Sequence, residues 1–283
     1  TNTPLVDQLK KLDTLRNPAS EASSSSDLLL NTHLSVSLHA YVMALDSGVN
    51  PQLYVMGGSE HLHLLLPMVD IEEHGDEAFI IVRPFVHTML LYLKNINGEK
   101  TAFWFDPQAW GRRYYPNRLI ANALSTNDYN IITFQDAPQS RAQNTGCVTH
   151  CMYVLQQLMQ YGFNLLNDNT LINQPNKAFQ HKDFAPTVIT LPDIFFCNNT
   201  DAFEEYITHQ LESFLKDLTD STGDALDITR ILKIIYRLSG IERAQHIKTN
   251  NFNHAFCITD NEHGILIQLE NQDEANIFAN FPS

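Results

Sequence analysis

The chain has 283 residues, 43% hydrophobic and 10% aromatic, enough to enclose a sizeable core and too apolar for a disordered polypeptide. Its 32 acidic against 18 basic side chains leave a formal net charge of −14, which argues against nucleic acid or an anionic membrane as partner and suits a basic surface. Cys147, Cys151, Cys197 and Cys257 show no framework spacing, so a reducing compartment is expected, and no apolar run approaches the roughly 20 residues that span a bilayer.

Residues 1–26 begin with leucines at helical spacing (Leu5, Leu9, Leu12, Leu15) and pass into PASEASSSS over 18–26, which reads as a flexible linker. From 27 to 44 the pattern is apolar and helical, and His33 and His39 within it read as ordinary surface or core-edge histidines. Gly57-Gly58 marks a turn. His61 and His63 follow at i, i+2, the start of a metal site on a strand, but no nearby thiol or carboxylate cluster completes it and both are taken as structural. Residues 78–133 read as sheet: AFIIVR over 78–83, HTMLLYLK over 87–94, the hairpin signal Asn97-Gly98, then TAFWFD over 101–106 ahead of Pro107. A helix near 117–124 and a strand over 129–134 lead into a polar loop. After Gly162 a long Asn-, Asp-, Gln- and Pro-rich stretch holds a short strand near 188–191. Helical patterns at 202–218 and 227–238 follow, then a terminal hairpin from 254–259 and 264–269. The class is α+β, a central mixed sheet flanked by helices, with a mostly helical C-terminal extension. The expected division is an N-terminal segment and linker over 1–26, a catalytic core over 27–165, and 166–283 as an extension for substrate recognition or the completion of the same domain.

The stretch QSRAQNTGCVTHCMYVLQQLM over 139–159 passes from that loop into a helix with a cysteine at the junction. Val148, Cys151, Met152, Leu155, Leu158 and Met159 recur at helical spacing, Asn144 or Thr145 is placed to cap, and Gly146 allows a tight turn. Cys147 then lies in the first turn, where unpaired amides and the positive end of the helix dipole favour a thiolate. The hairpin offers it a base. With Asn97-Gly98 as the turn, residues whose numbers sum to about 195 face each other, so Asp106 lies diagonal to His87, about 7–8 Å away on one sheet face. A thiol at a helix start, a histidine and a carboxylate that orients it are the parts of a thiol protease or acyltransferase.

In this order His87, the strand after it, Trp104-Phe-Asp106-Pro107, a helix, the strand 130–134, a glutamine-bearing loop and Cys147 resemble the clan CE cysteine peptidases. That clan includes Ulp1-like deSUMOylases, adenovirus-type proteases, bacterial effector deubiquitinases and YopJ-like acetyltransferases. The resemblance covers roughly residues 78–162 and rests on short motifs. It implies an Ulp1-like core, His87 as general base, Asp106 as its orienter, Cys147 as nucleophile, and an oxyanion-hole glutamine. Gln139, following Pro138, fits that last context best, with Gln143 as the alternative. The implied activity is a deubiquitinase-type isopeptidase removing ubiquitin or a ubiquitin-like modifier from lysine, in a bacterial effector secreted into host cytoplasm, or else cytoplasmic. It needs no cofactor, metal, nucleic acid or membrane insertion. The chain departs from the clan at Thr88, where Trp is common, at Gly146-Cys147-Val148, where Asp-Cys-Gly is common, and in the position of Trp104 and Trp110, candidates for enclosing a Gly-Gly tail.

Other readings compete. Cys147, His150 and Cys151 as metal ligands lack a fourth partner, and Cys151 on the apolar stripe suits an inert buried thiol. His254-Ala-Phe resembles the histidine strand of papain-like enzymes, with Asn271 or Asp260 as orienter; His87 is preferred because hairpin, carboxylate and strand order agree. A YopJ-like acetyltransferase would use the same triad with a basic site for inositol phosphate and CoA, whereas Arg230, Lys233, Arg237, Arg243 and Lys248 are thinly spread. A non-enzymatic interaction protein is the remaining class.

Overall fold

The computed structural model describes residues 5, 7–9, 33–48, 51–59, 62–73, 76–83, 87–109, 115–139, 146–166 and 187–238. Helix α1 is His33–Asp46, and strand β1, Gln52–Met56, follows it. A helical turn α2, Leu62–Leu65, continues into a 3-10 turn, Leu66–Met68. Strands β2 (Glu77–Val82), β3 (Met89–Ile96) and β4 (Glu99–Phe105) come next, then α3 (Tyr115–Thr126), β5 (Asn130–Phe134) and α4 (Cys147–Tyr161). Strand β6 (Thr187–Ile189) and helices α5 (Thr200–Asp217) and α6 (Ile228–Leu238) close the described fold. The strands form one six-stranded sheet in the order of the chain. β1–β2, β4–β5 and β5–β6 pair in parallel, and β2–β3 and β3–β4 antiparallel.

Both faces of the sheet are covered, which is why β2 and β3 are almost continuously apolar instead of alternating. On one face Phe79, Ile81, Leu90, Tyr92, Phe103, Phe105 and Phe134 pack under α1, α4, α5 and α6. On the other Ile80, Val82, Met89, Leu91, Trp104 and Ile131 pack under α2 and α3. A stacked aromatic row crosses the first face, with ring centroids 4.9 Å apart for Phe79–Tyr92 and 5.9 Å for Tyr92–Phe103. Helix α4 lies between the sheet and α1 and α5, so it buries Thr149, His150 and Gln157 as well as its apolar stripe. The hydroxyl of Thr149 donates to the carboxylate of Glu204 on α5. Ile189 of β6, Ile207, Leu211 and Leu215 of α5 and Ile235 of α6 are buried in the same apolar cluster as the stripe of α4.

The hairpin between β3 and β4 follows its turn chemistry. Ile96 faces Glu99 and Leu90 faces Phe105, with Asn97 and Gly98 at φ 55° and 88°. The Gly98 amide donates to Asn95 Oδ1 at 2.9 Å. A Cβ at Gly98 would meet nothing within 4 Å, so Gly98→Ala is expected to cost only the left-handed backbone term, about 1–2 kcal/mol, read as a lower urea midpoint with unchanged slope.

Several expectations are corrected here. Strand β1 went unread, because its five residues before the Gly57-Gly58 turn are too short to show a period. His63 sits in the α2 helical turn instead of a strand, since Leu62 and Leu65 turn inward together; His61 is outside the described residues. His39 is not at the core edge: it is 3% exposed, its Nδ1 pairs with the Ser35 carbonyl at 2.7 Å, and burial pushes its pKa down to about 4. The 1–26 linker beyond residues 5 and 7–9, and the terminal hairpin, lie outside the described residues. Among the described residues no helix is long and apolar enough to cross a membrane.

Candidate active site

The loops leaving β4 and β5, the segment entering β3 and the start of α4 meet at one end of the sheet. His87 lies just before β3, beyond the last β2–β3 pair, Val82 with Met89, and Asp106 lies just past β4. The expectation that His87 sits inside the strand therefore fails by two residues. The pair nonetheless meets past the end of the ladder, with His87 Nε2 donating to Asp106 Oδ1 at 2.8 Å. The imidazole is 1% exposed and the carboxylate 12%. Asp106 is itself held: the Gln108 amide donates to Oδ1 at 3.1 Å and Asn117 Nδ2 to Oδ2 at 3.3 Å. Asn117, buried at the start of α3, was not singled out by sequence; its place in the first turn of the helix after Asp106 is the only signal it gives.

Nε2 being taken by Asp106, Nδ1 is the ring nitrogen left on the side of the Cys147 thiol, which acts electrostatically on the imidazole. Burial alone would lower the pKa of His87, but hydrogen bonds to Asp106 and Cys147 and their charges hold it up at about 9. For Cys147 burial works toward a neutral thiol. It is outweighed by the hydrogen bond and charge of His87, the backbone of Thr88 and the charge of Arg83, and the net direction is down. The two shifts run in the directions that favour a thiolate–imidazolium pair. Cys151, one turn along, goes the other way: wholly buried and donating to the Thr88 carbonyl at 3.3 Å, its thiol is pushed well above the ordinary range.

Helix α4 starts with Gly146 at the N-cap position and no side-chain cap, which replaces the expected cap by Asn144 or Thr145, both outside the described residues. A Cβ at Gly146 would stand 3.3 Å from His150 Cδ2, where the imidazole would have to give, and 3.5 Å from Gln139 Cγ, an ordinary contact, so a side chain at this position would press on His150. The same distances place the Gln139 side chain beside the residue preceding Cys147. Gln139 is 3% exposed and its backbone N–H donates to the Pro107 carbonyl at 3.0 Å, which ties it to the loop that follows Asp106. Gln143 is outside the described residues, as are Trp110, His254, Asp260 and Asn271. Trp104 is not near Cys147: strand alternation turns it into the opposite layer, where its indole N–H meets Met89 Sδ at 3.4 Å. Among the described residues no group of three or more His, Cys, Asp and Glu side chains could hold a metal. Arg83, buried beside the pair, has no signal of its own in the sequence, whereas Thr88, equally buried there, stands out in it only as the departure from the clan's Trp.

Chemically, the cluster offers a thiol of lowered pKa at the first turn of a buried helix, an imidazole fixed through its far nitrogen, and an amide side chain next to the residue that precedes the thiol. This is equipment for attack on a carbonyl carbon.

No protein-family model matches the chain, and no curated protein does. Among solved structures, the chain is similar to one described as AvrA delL154 with IP6 and CoA, with TM-score 0.45, 11% identity, and 84% of this chain and 98% of that chain covered. It is also similar to HopZ1a in complex with IP6, with TM-score 0.42, 13% identity, and 84% and 97% of the two chains covered.

Proposed function

We propose that this chain is a thiol enzyme of the clan CE type that works through an acyl-enzyme on Cys147. Its reaction is then the release of ubiquitin or a ubiquitin-like modifier from lysine. One observation carries the reading: a single buried imidazole is hydrogen-bonded to Asp106 at 2.8 Å and interacts electrostatically with Cys147 at the start of α4. The Cys147 sulfur attacks the isopeptide carbonyl, forming a C–S bond as the carbonyl electron pair moves onto oxygen. The oxyanion is met by the Cys147 backbone amide, which the helix itself does not use, and by the Gln139 side-chain amide. Collapse breaks the C–N bond, and the imidazolium of His87 gives its proton to the departing lysine amine. Water, deprotonated by His87, then hydrolyses the thioester. The net charge of −14 complements the basic tail of ubiquitin better than an acidic modifier.

The test is a ubiquitin derivative carrying a C-terminal electrophile. The reading expects an adduct on Cys147 that disappears in His87→Ala. Labelling that survives His87→Ala but is lost in His254→Ala would replace the His–Asp–Cys order by the papain-like one. No adduct, together with transfer of acetyl from acetyl-CoA to Cys147, would move the chain to the acetyltransferase arm of the same clan. Gln139→Ala is expected to lower kcat about 10²–10³-fold with little change in KM, because the lost hydrogen bond forms fully only in the tetrahedral state.

A further inference from the structure

Arg83 is the residue just past β2, and its amide donates to the Met56 carbonyl at the end of β1 at 2.9 Å, which fixes its backbone at the rim of the sheet. Continuing the β2–β3 register one step beyond Val82 and Met89 sets Arg83 across from Thr88. The side chains join there, with Arg83 Nε donating to Thr88 Oγ1 at 3.1 Å. Arg83 is 5% exposed and Thr88 fully buried, unusual for an arginine and a hydroxyl unless the positions are occupied for a reason other than solubility. The peptide unit of Thr88 lies against the start of α4: its carbonyl accepts from Cys151 Sγ at 3.3 Å, and its backbone is one of the groups that lower the pKa of Cys147. Residue 88 directly follows His87, so whatever fixes Thr88 also fixes the imidazole.

We propose that Arg83 and Thr88 form a positioning clamp for the Cys147–His87 pair: the guanidinium holds the Thr88 hydroxyl, Thr88 holds the first turn of α4, and the buried cation sets a fixed positive charge beside the sulfur. This rests on the thiol-enzyme reading above. The charge matters because a guanidinium stays protonated at every pH at which the protein is folded, whereas the imidazolium does not. The groups that act electrostatically on Cys147 or share its hydrogen bonds are His87 and Thr88 before and at the entry to β3, Arg83 after β2, and Cys151 on α4, with Asp106 acting through His87. Thr88 occupies the position where the clan commonly carries Trp. A small hydroxyl there is what lets Arg83 reach across from β2.

The experiment is alkylation of Cys147 by iodoacetamide in the folded full chain, read by mass spectrometry at this residue from about pH 5 to 10, alongside kcat and KM. Arg83→Met is expected to move the alkylation curve about one pH unit upward, a tenfold slower reaction at pH 6. Arg83→Lys, which keeps charge without the fork, is expected to fall between Arg83→Met and the parent. Thr88→Val is expected to lower kcat more than KM and to shift the curve in the same direction, and Thr88→Ser to restore what Thr88→Val loses. Thr88→Val leaves the buried charge in place and so reads the clamp even if Arg83→Met does not fold. A Thr88→Val curve that superposes on the parent's overturns the clamp. A parental curve that is already that of an ordinary thiol, near about 8.5, overturns the thiol-enzyme reading and the clamp with it.

Discussion

Cys147→Ala is expected to fold with nearly parental stability and to lose covalent labelling and turnover completely, a fall on the order of 10⁴–10⁶-fold. The loss should not be shared by Cys151→Ala, because Cys151 is a buried, protonated thiol tied to the Thr88 carbonyl. The pH dependence follows from the two shifts. Below the lowered pKa of Cys147 the sulfur is protonated and unreactive; above about 9 the His87 imidazolium is lost and no proton remains for the leaving amine. Activity should therefore rise on the acid side before an ordinary cysteine ionises and fall on the alkaline side near 9. A profile of kcat/KM against pH checks this. A single rise near an ordinary thiol pKa, with no alkaline fall, would contradict the paired state.

The second large effect is expected from Asp106→Asn. Both carboxylate oxygens are acceptors in the structure, Oδ1 from His87 and the Gln108 amide and Oδ2 from Asn117. An amide in the same place must turn its NH₂ toward one of these donors. Toward His87 it opposes the Gln108 N–H and leaves the imidazole in the wrong tautomer; toward Asn117 it sets two amide NH₂ groups against each other. The expected outcome is a loss of about 10⁴-fold in kcat, with His87 no longer sustained at about 9, so that the alkaline limb moves to lower pH. Asn117→Ala should give a smaller loss in the same direction, because it frees the carboxylate to rotate without changing its charge. Nuclear magnetic resonance titration of the His87 ring in each variant separates the two effects.

Much of this was legible because turn chemistry is local and strong. Asn97-Gly98 determines the β3–β4 register, and the register alone brings Asp106 within reach of a histidine ten residues upstream of the turn. The apolar stripe of α4 likewise located its helix, and β4, α3, β5, α5 and α6 fell close to their expected bounds. What escaped depends on contacts between distant segments. Arg83 reads as one more residue of a β-branched run, and only the pairing of β2 with β3 sets it beside Thr88. Asn117 reads as helix, and only the packing of α3 beneath the sheet aims it at Asp106. Trp104 was misplaced because alternation decides its face, and both faces of this sheet are apolar. The short β1 carries too few residues to show a period, and it is its pairing with β2 that makes it a strand, whereas β6 falls close to the short strand expected near 188–191.

The turn at Asn97-Gly98 lies at the far end of β4 from Asp106, roughly 24 Å away along the strand. Because side chains alternate, adding or removing one residue at that turn would carry Asp106 to the opposite face and swap it with a neighbour, while leaving every apolar contact class in the strand almost unchanged. The hairpin is thus a ruler for the distant cluster. Its tip should accept many substitutions and no change of length, whereas the loops between helices should accept both. A library of single-residue insertions scored for activity would therefore show a silent zone of intolerance far from any residue that touches substrate.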